Sequence, residues 1–195
     1  MTAADGGPHL GLVVEGPGDA NALPLLLRRF MEARADYRDL LGKPVRCNGR
    51  DKALVPRGIE SYVSVAAARP GCRAVLVVLD SEGDAVCRLG PSLLERVQKN
   101  TRLPVAVSLA DRCWEDWLYA SIETLEIGNG LKCSEESGGT GVIKRALLPG
   151  KYVKPTWQPR LTVRVDINLA AGRSRSLARM LQCFTSLIEN IAHSA

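Results

Sequence analysis

The stretch Ala74-Val-Leu-Val-Val-Leu-Asp-Ser-Glu-Gly-Asp84 carries five consecutive aliphatics, residues 75–79, and closes on carboxylates at alternate positions, Asp80, Glu82 and Asp84. An unbroken apolar run of strand length predicts a strand buried on both faces, as in a parallel sheet covered by helices. In such sheets the carboxyl ends of the strands form the crevice where ligands bind, so the three acids fall at the functional edge. Crowded carboxylates repel one another unless a proton or a cation sits among them, and oxygen ligands suit a hard ion, Mg²⁺ or Mn²⁺. The same residues also read as an acidic, solvated strand-to-helix loop.

Upstream, Leu10-Gly-Leu-Val-Val-Glu-Gly-Pro-Gly-Asp19 is a second apolar strand that ends in a carboxylate, Glu15, followed by glycines that permit close backbone approach. Leu23, Leu26, Leu27 and Phe30 then share one helical face, and Pro24 predicts that this helix starts later than Asp19 or bends. Asp19 itself reads as an N-cap. Residues 43–47 form a short strand, and Asn48-Gly-Arg-Asp-Lys52 is a basic turn whose Arg50 and Lys52 either hold a phosphate or stay solvated. Residues 59–68 and 91–100 have helical patterns and residues 103–109 a fourth strand, so β-α units repeat and the sheet of about four strands is parallel and Rossmann-like. With the first and third strands adjacent, as in the flavodoxin-like order, their ends lie about 4.8 Å apart and Glu15 faces Asp80. One carboxylate can then act as a base or ligand while the aspartates hold a cation, an arrangement suited to phosphodiester chemistry.

Further on, residues 110–123 open a helix with Trp114 and Trp117 on one buried face, so that Glu115 points elsewhere. Residues 128–141, rich in Gly, Ser and Glu, read as a mobile loop, residues 142–148 as a short helix and residues 151–158 as an irregular stretch containing Lys154. Leu177, Met180, Leu181, Phe184, Leu187, Ile188 and Ile191 make one apolar stripe on a last helix, with Arg173 and Arg175 near its start. The chain therefore reads as an α/β core over residues 1–127, completed by a loop, a short helix and a C-terminal helix over residues 128–195.

A length of 195 residues accommodates one domain with a substantial core. Hydrophobic residues at 46% and charged residues at 24% exclude disordered and fibrous classes. Apolar runs are strand-sized and the N-terminal stretch has no signal-peptide core, so the expected compartment is the cytoplasm, with no membrane partner. Six scattered cysteines include no Cys-x-x-Cys pair, and the two histidines, His9 and His193, lie near the termini. A zinc site or a Ser-His-Asp triad is therefore not expected, and chemistry falls to carboxylates, Lys and Arg. A net charge of +5 suits a polyanionic partner such as nucleic acid.

Glu-Gly at the end of the first strand and the Asp80 to Asp84 cluster at the end of the third resemble the Toprim fold of topoisomerases, primases and OLD-type nucleases. Val14-Glu15-Gly16-Pro17-Gly18-Asp19, Ala110-Asp111-Arg112-Cys113-Trp114-Glu115-Asp116-Trp117, Tyr152-Val153-Lys154-Pro155-Thr156-Trp157-Gln158 and Arg173-Ser-Arg-Ser-Leu177 extend that resemblance over most of the chain. They are similar to motifs of the small bacterial Toprim-like proteins often encoded beside an ATPase in defence loci. The resemblance implies a Toprim/Rossmann-like α/β fold with an α-helical C-terminal extension. It further implies a Mg²⁺- or Mn²⁺-dependent endonuclease for DNA or RNA, the effector of an antiphage system working with an AAA/ABC-type ATPase.

It assigns Glu15, Asp80, Asp84 and Glu115 to the metal site, beside Glu82 in the same cluster. Lys154 is then a phosphate clamp or transition-state cation. Arg50, Lys52, Arg173 and Arg175 are candidate phosphate contacts. Topoisomerase activity needs strand-holding domains that the length excludes, and primase a zinc ribbon that the cysteines do not supply. Asp19, Glu82, Cys113 and Trp157 depart from the usual Glu, Asp, Glu and acid at their positions. Glu82, Cys113 and Trp157 motivate the alternative, a binding or regulatory subunit of an ATPase complex that keeps the shape without turnover.

Overall fold

The structure, a computed structural model, describes residues 6–127, 130–134 and 138–193. Strands β1 (His9–Val14), β2 (Val45–Arg46), β3 (Cys72–Asp80) and β4 (Val105–Ala110) form one sheet, all parallel, in the order β2-β1-β3-β4. The helices are α1 (Pro17–Glu32), α2 (Arg50–Leu54), α3 (Gly58–Ala67), α4 (Val86–Gln98), α5 (Trp114–Tyr119), α6 (Gly139–Ala146), α7 (Lys154–Thr162), α8 (Ile167–Arg173) and α9 (Arg175–His193). This is the expected α/β architecture with a C-terminal helix.

Alternation along β3 explains why helices must cover both faces. Ala74, Leu76 and Val78 join a core with Leu23, Leu26, Leu27 and Phe30 of α1, Trp114 and Leu118 of α5, and Met180 and Phe184 of α9. Val75, Val77 and Leu79 join a second core with Ile59 and Val63 of α3 and Leu93 and Val97 of α4. Each such side chain, fully buried, contributes about 1.5–3 kcal/mol, so neither face of β3 is stable uncovered. Phe30 and Phe184 meet edge to face at 6.0 Å, which ties α9 to α1 on the same face of the sheet.

Several boundaries differ from the sequence expectation. Helix α1 starts at Pro17, ahead of Asp19, because proline without an N–H is tolerated in a first turn, and the helix continues through Pro24. Helix α4 likewise begins at Val86 and contains Pro91. The stretch expected to be irregular is in large part α7, which opens with Pro155 in its first turn and runs past Pro159. The helix expected over residues 110–123 is shorter: α5 spans Trp114–Tyr119 and gives way to a 3₁₀ turn at Ile122–Thr124. Residues 1–5, 128, 129, 135–137, 194 and 195 lie outside the described residues, and with them part of the expected loop; its end, from Gly139, belongs to α6.

Candidate functional site

Parallel register puts the ends of β1 and β3 side by side, with Val14 opposite Val78, so the next residues on each strand emerge at one edge. Glu15 follows β1 directly and Asp80 ends β3. Asp19 is not the N-cap expected of it: Gly16 is the N-cap of α1, and Asp19, the third residue of the helix, reaches back to accept the Gly16 N–H through Oδ2 at 2.9 Å. Its other oxygen, Oδ1, is buried without a hydrogen-bond partner. Pairing of Asp80 with Ala110 on β4 brings the start of α5 to the same edge. There the Trp114 N–H donates to Asp80 Oδ1 at 2.8 Å.

Glu115 is fully buried, which the expectation that it points away from the tryptophan face did not anticipate. Helix α7 explains this burial. Tyr152 Oη donates to Glu115 Oε1 at 2.6 Å and Gln158 Nε2 donates to the same oxygen at 3.1 Å. Between them Lys154, the first residue of α7, points its Nζ to 3.3 Å from Asp80 Oδ2 and 3.9 Å from Glu115 Oε2. Gly18 makes this approach of α7 to α1 possible: a Cβ there would stand 1.8 Å from Gln158 Oε1 and 3.1 Å from the Lys154 carbonyl carbon.

Four carboxylates, Glu15, Asp19, Asp80 and Glu115, thus surround one ammonium. Burial, reinforced by Asp19 and Glu15 and opposed by Lys154, pushes the Asp80 carboxyl up to about 7. Burial also raises Glu15, with Asp19 adding to it, and raises Asp19 itself. For Lys154 burial works against the charged form, but Asp80, Glu115 and Asp19 outweigh it and hold the ammonium well above its ordinary value. Burial and the adjacent Glu115 carboxylate raise the Tyr152 phenol, which stays a proton donor.

The other acids of the cluster turn elsewhere. Asp84 pairs with Arg50 Nη2, Glu82 lies 3.7 Å from Arg50 Nη1, and Arg50 Nε donates to the Asp80 carbonyl at 3.1 Å. Arg50, a candidate phosphate contact, is thereby engaged by the carboxylates of the β3–α4 loop. That loop is braced against the β4–α5 loop: Arg112 N donates to Ser81 Oγ at 2.8 Å and Glu82 N to the Arg112 carbonyl at 2.9 Å. Glu82 and Arg112 both hold left-handed backbone, at φ 52° and 65°, a costly conformation for non-glycine residues and one that clusters at functional edges.

Lys52 is exposed beside a separate cavity with Arg57 and Tyr62. Arg173 is engaged internally, donating to the Ala120 carbonyl at 3.1 Å and to Glu123 at 2.9 Å. Arg175 is exposed and lines a cavity of about 670 Å³ with Arg112, Ser174 and Ser176. Cys113, at the position where the resemblance expects an acid, sits 3.1 Å from Thr140 Oγ1, and burial pushes its thiol up to about 12. It is therefore a neutral thiol at physiological pH.

Among the described residues no three His, Cys, Asp or Glu side chains are already arranged to hold one metal ion. In kind, however, the donors fit a hard dication. Glu15 Oε2, Asp19 Oδ1 and Glu115 Oε2 are buried without hydrogen-bond partners, all are carboxylate oxygens, and one ammonium leaves the nest with surplus negative charge. Tyr152 and Gln158, named only as motif positions in the sequence, are the residues whose roles emerge here. Comparison with protein-family models, with curated proteins and with solved structures finds no match for the chain.

Proposed function

We propose that the chain is a Toprim-type nuclease that hydrolyses phosphodiester bonds in DNA or RNA with Mg²⁺ or Mn²⁺. The observation that carries this reading is the nest of Glu15, Asp19, Asp80 and Glu115 at the carboxyl edge of a parallel sheet, three of whose buried oxygens accept no hydrogen bond. Glu15 and Asp80, flanked by Asp19 and Glu115, are the residues that would hold the cation. A bound dication would neutralise charge on the phosphoryl oxygens and acidify a water.

The chain's own groups supply the rest. Asp80 is fixed at Oδ1 by the Trp114 N–H, which leaves its Oδ2 directed to the Lys154 ammonium and available to a cation. Lys154 brings a permanent positive charge to the mouth of the nest, where it can meet a non-bridging phosphate oxygen. Tyr152 and Gln158 keep Glu115 from swinging away. Arg175 and its cavity offer a phosphate contact one loop away.

In this reading the protein acts in the cytoplasm as the effector of a defence pair, with an ATPase encoded nearby as its regulator. A second reading, a regulatory subunit without turnover, is favoured by the engagement of Glu82 and Asp84 with Arg50 and by the neutral Cys113. Purified protein incubated with plasmid and with total RNA, in Mg²⁺ or Mn²⁺ and with and without the ATPase, separates the two. Metal-dependent products that vanish in Asp80→Asn support the nuclease. No products under any of these conditions would leave the regulatory subunit.

A further inference from the structure

We propose that Lys154 is a tethered counter-ion of the carboxylate nest and that a divalent cation enters by exchange for its ammonium. This rests on the metal-dependent reading above. The Lys154 Nζ, 3.3 Å from Asp80 Oδ2 and 3.9 Å from Glu115 Oε2, stands beside oxygens that a cation shared by β3 and α5 would need. Two cations cannot share those oxygens without strong mutual repulsion, and a dication offsets four carboxylates more fully than one ammonium does. The buried Oδ1 of Asp19 and Oε2 of Glu115, neither of which accepts a hydrogen bond, are the independent sign that the nest is built for more positive charge than Lys154 brings.

The surroundings also determine which part can move. Glu115 is clamped by Tyr152 and Gln158, and Asp80 by the Trp114 N–H. The Lys154 backbone is held at the start of α7, close against Gly18, with Pro155 next to it. The Lys154 side chain, about half exposed at 47%, has an outlet to solvent. Swung outward, its ammonium remains at the mouth of the nest, where a phosphate would approach. Metal entry therefore also frees the lysine for substrate: the metal-free protein keeps Lys154 engaged, and the loaded protein presents it.

The test uses Mn²⁺ itself as the probe, titrated calorimetrically into the full chain and into Lys154→Gln and Lys154→Met. In parallel, wild-type protein is reductively methylated with and without Mn²⁺, and modification is read peptide by peptide. Exchange predicts Mn²⁺ binding tighter by about tenfold or more in both variants, since the competing charge is gone. It also predicts faster methylation of Lys154 when Mn²⁺ is added, with Lys99, exposed on the helix α4 side and paired with Glu95, unchanged. Wild-type binding with equal or weaker binding by the variants overturns the exchange and leaves the metal site standing. No Mn²⁺ binding by any of the proteins overturns the metal-dependent reading and the exchange together. If neither variant folds, Lys154 reactivity in the wild type decides, and a rate indifferent to Mn²⁺ overturns the proposal.

Discussion

Replacing Asp80 with Asn should stabilise the metal-free protein at alkaline pH and not at acid pH. The folded carboxyl titrates at about 7 against 3.8 for an ordinary aspartate, because burial and the neighbouring acids penalise its charged form. Between those values the folded state holds a proton that the unfolded chain has released. Stability from this group is therefore fully present below the unfolded value and is lost as pH rises through the folded one. A rise of this size corresponds to roughly 4 kcal/mol once both states are ionised.

Asn carries no charge and escapes that penalty, and its Oδ1 still accepts the Trp114 N–H. Its Nδ2 faces the Lys154 ammonium where a carboxylate oxygen stood, which costs about 1–2 kcal/mol. The mutant should thus match the wild type near about pH 5 and exceed it by ~2 kcal/mol near about pH 8. Urea unfolding at several pH values between these limits, in EDTA, measures the difference directly. A stability difference that stays constant with pH would refute the idea that Asp80 sits in a destabilised ionic state.

Tyr152→Phe removes a hydroxyl donor from buried Glu115 and should lower stability by about 1–3 kcal/mol, read by urea midpoint; no loss would mean that Gln158 alone satisfies Glu115. Gly18→Ala places a methyl 1.8 Å from Gln158 Oε1 and 3.1 Å from the Lys154 carbonyl carbon, so the Gln158 side chain or α7 must shift, with a cost of about 1–3 kcal/mol and a weakened Mn²⁺ affinity. Unchanged Mn²⁺ binding in Gly18→Ala would separate α7 from the site. Arg173→Ala should lower thermal stability by breaking the tie to Glu123 and the Ala120 carbonyl. Arg175→Ala should leave stability alone and weaken nucleic-acid binding, with a smaller salt dependence seen by fluorescence anisotropy. A stability loss in both would make Arg175 a folding residue.

The fold was legible where chain chemistry is local. An uninterrupted aliphatic run at residues 75–79 requires two covering layers, and the acid after each of two strands must then appear at one edge; Glu15 and Asp80 follow from that alone. Glu115 was not legible from periodicity. Flanking tryptophans suggest that it turns outward, and its burial depends on Tyr152 and Gln158 arriving from 37 and 43 residues away. Helix α7 was obscured by its prolines, since Pro155 and Pro159 read as breakers until one sees that the first sits in the opening turn. The pairing of Arg50 with Asp84 and Glu82 was equally hidden. A basic turn and an acidic loop 34 residues apart meet only because β2 and β3 flank β1 in the sheet.

Soaking crystals of the protein in Mn²⁺ and measuring anomalous scattering reads out whether a cation occupies the nest at the carboxyl edge. The expected peak is bounded by the carboxylates of Glu15, Asp19, Asp80 and Glu115, with Lys154 turned toward solvent. A peak elsewhere on the molecule, or a nest still filled by the Lys154 ammonium at saturating Mn²⁺, would contradict a cation site in the nest.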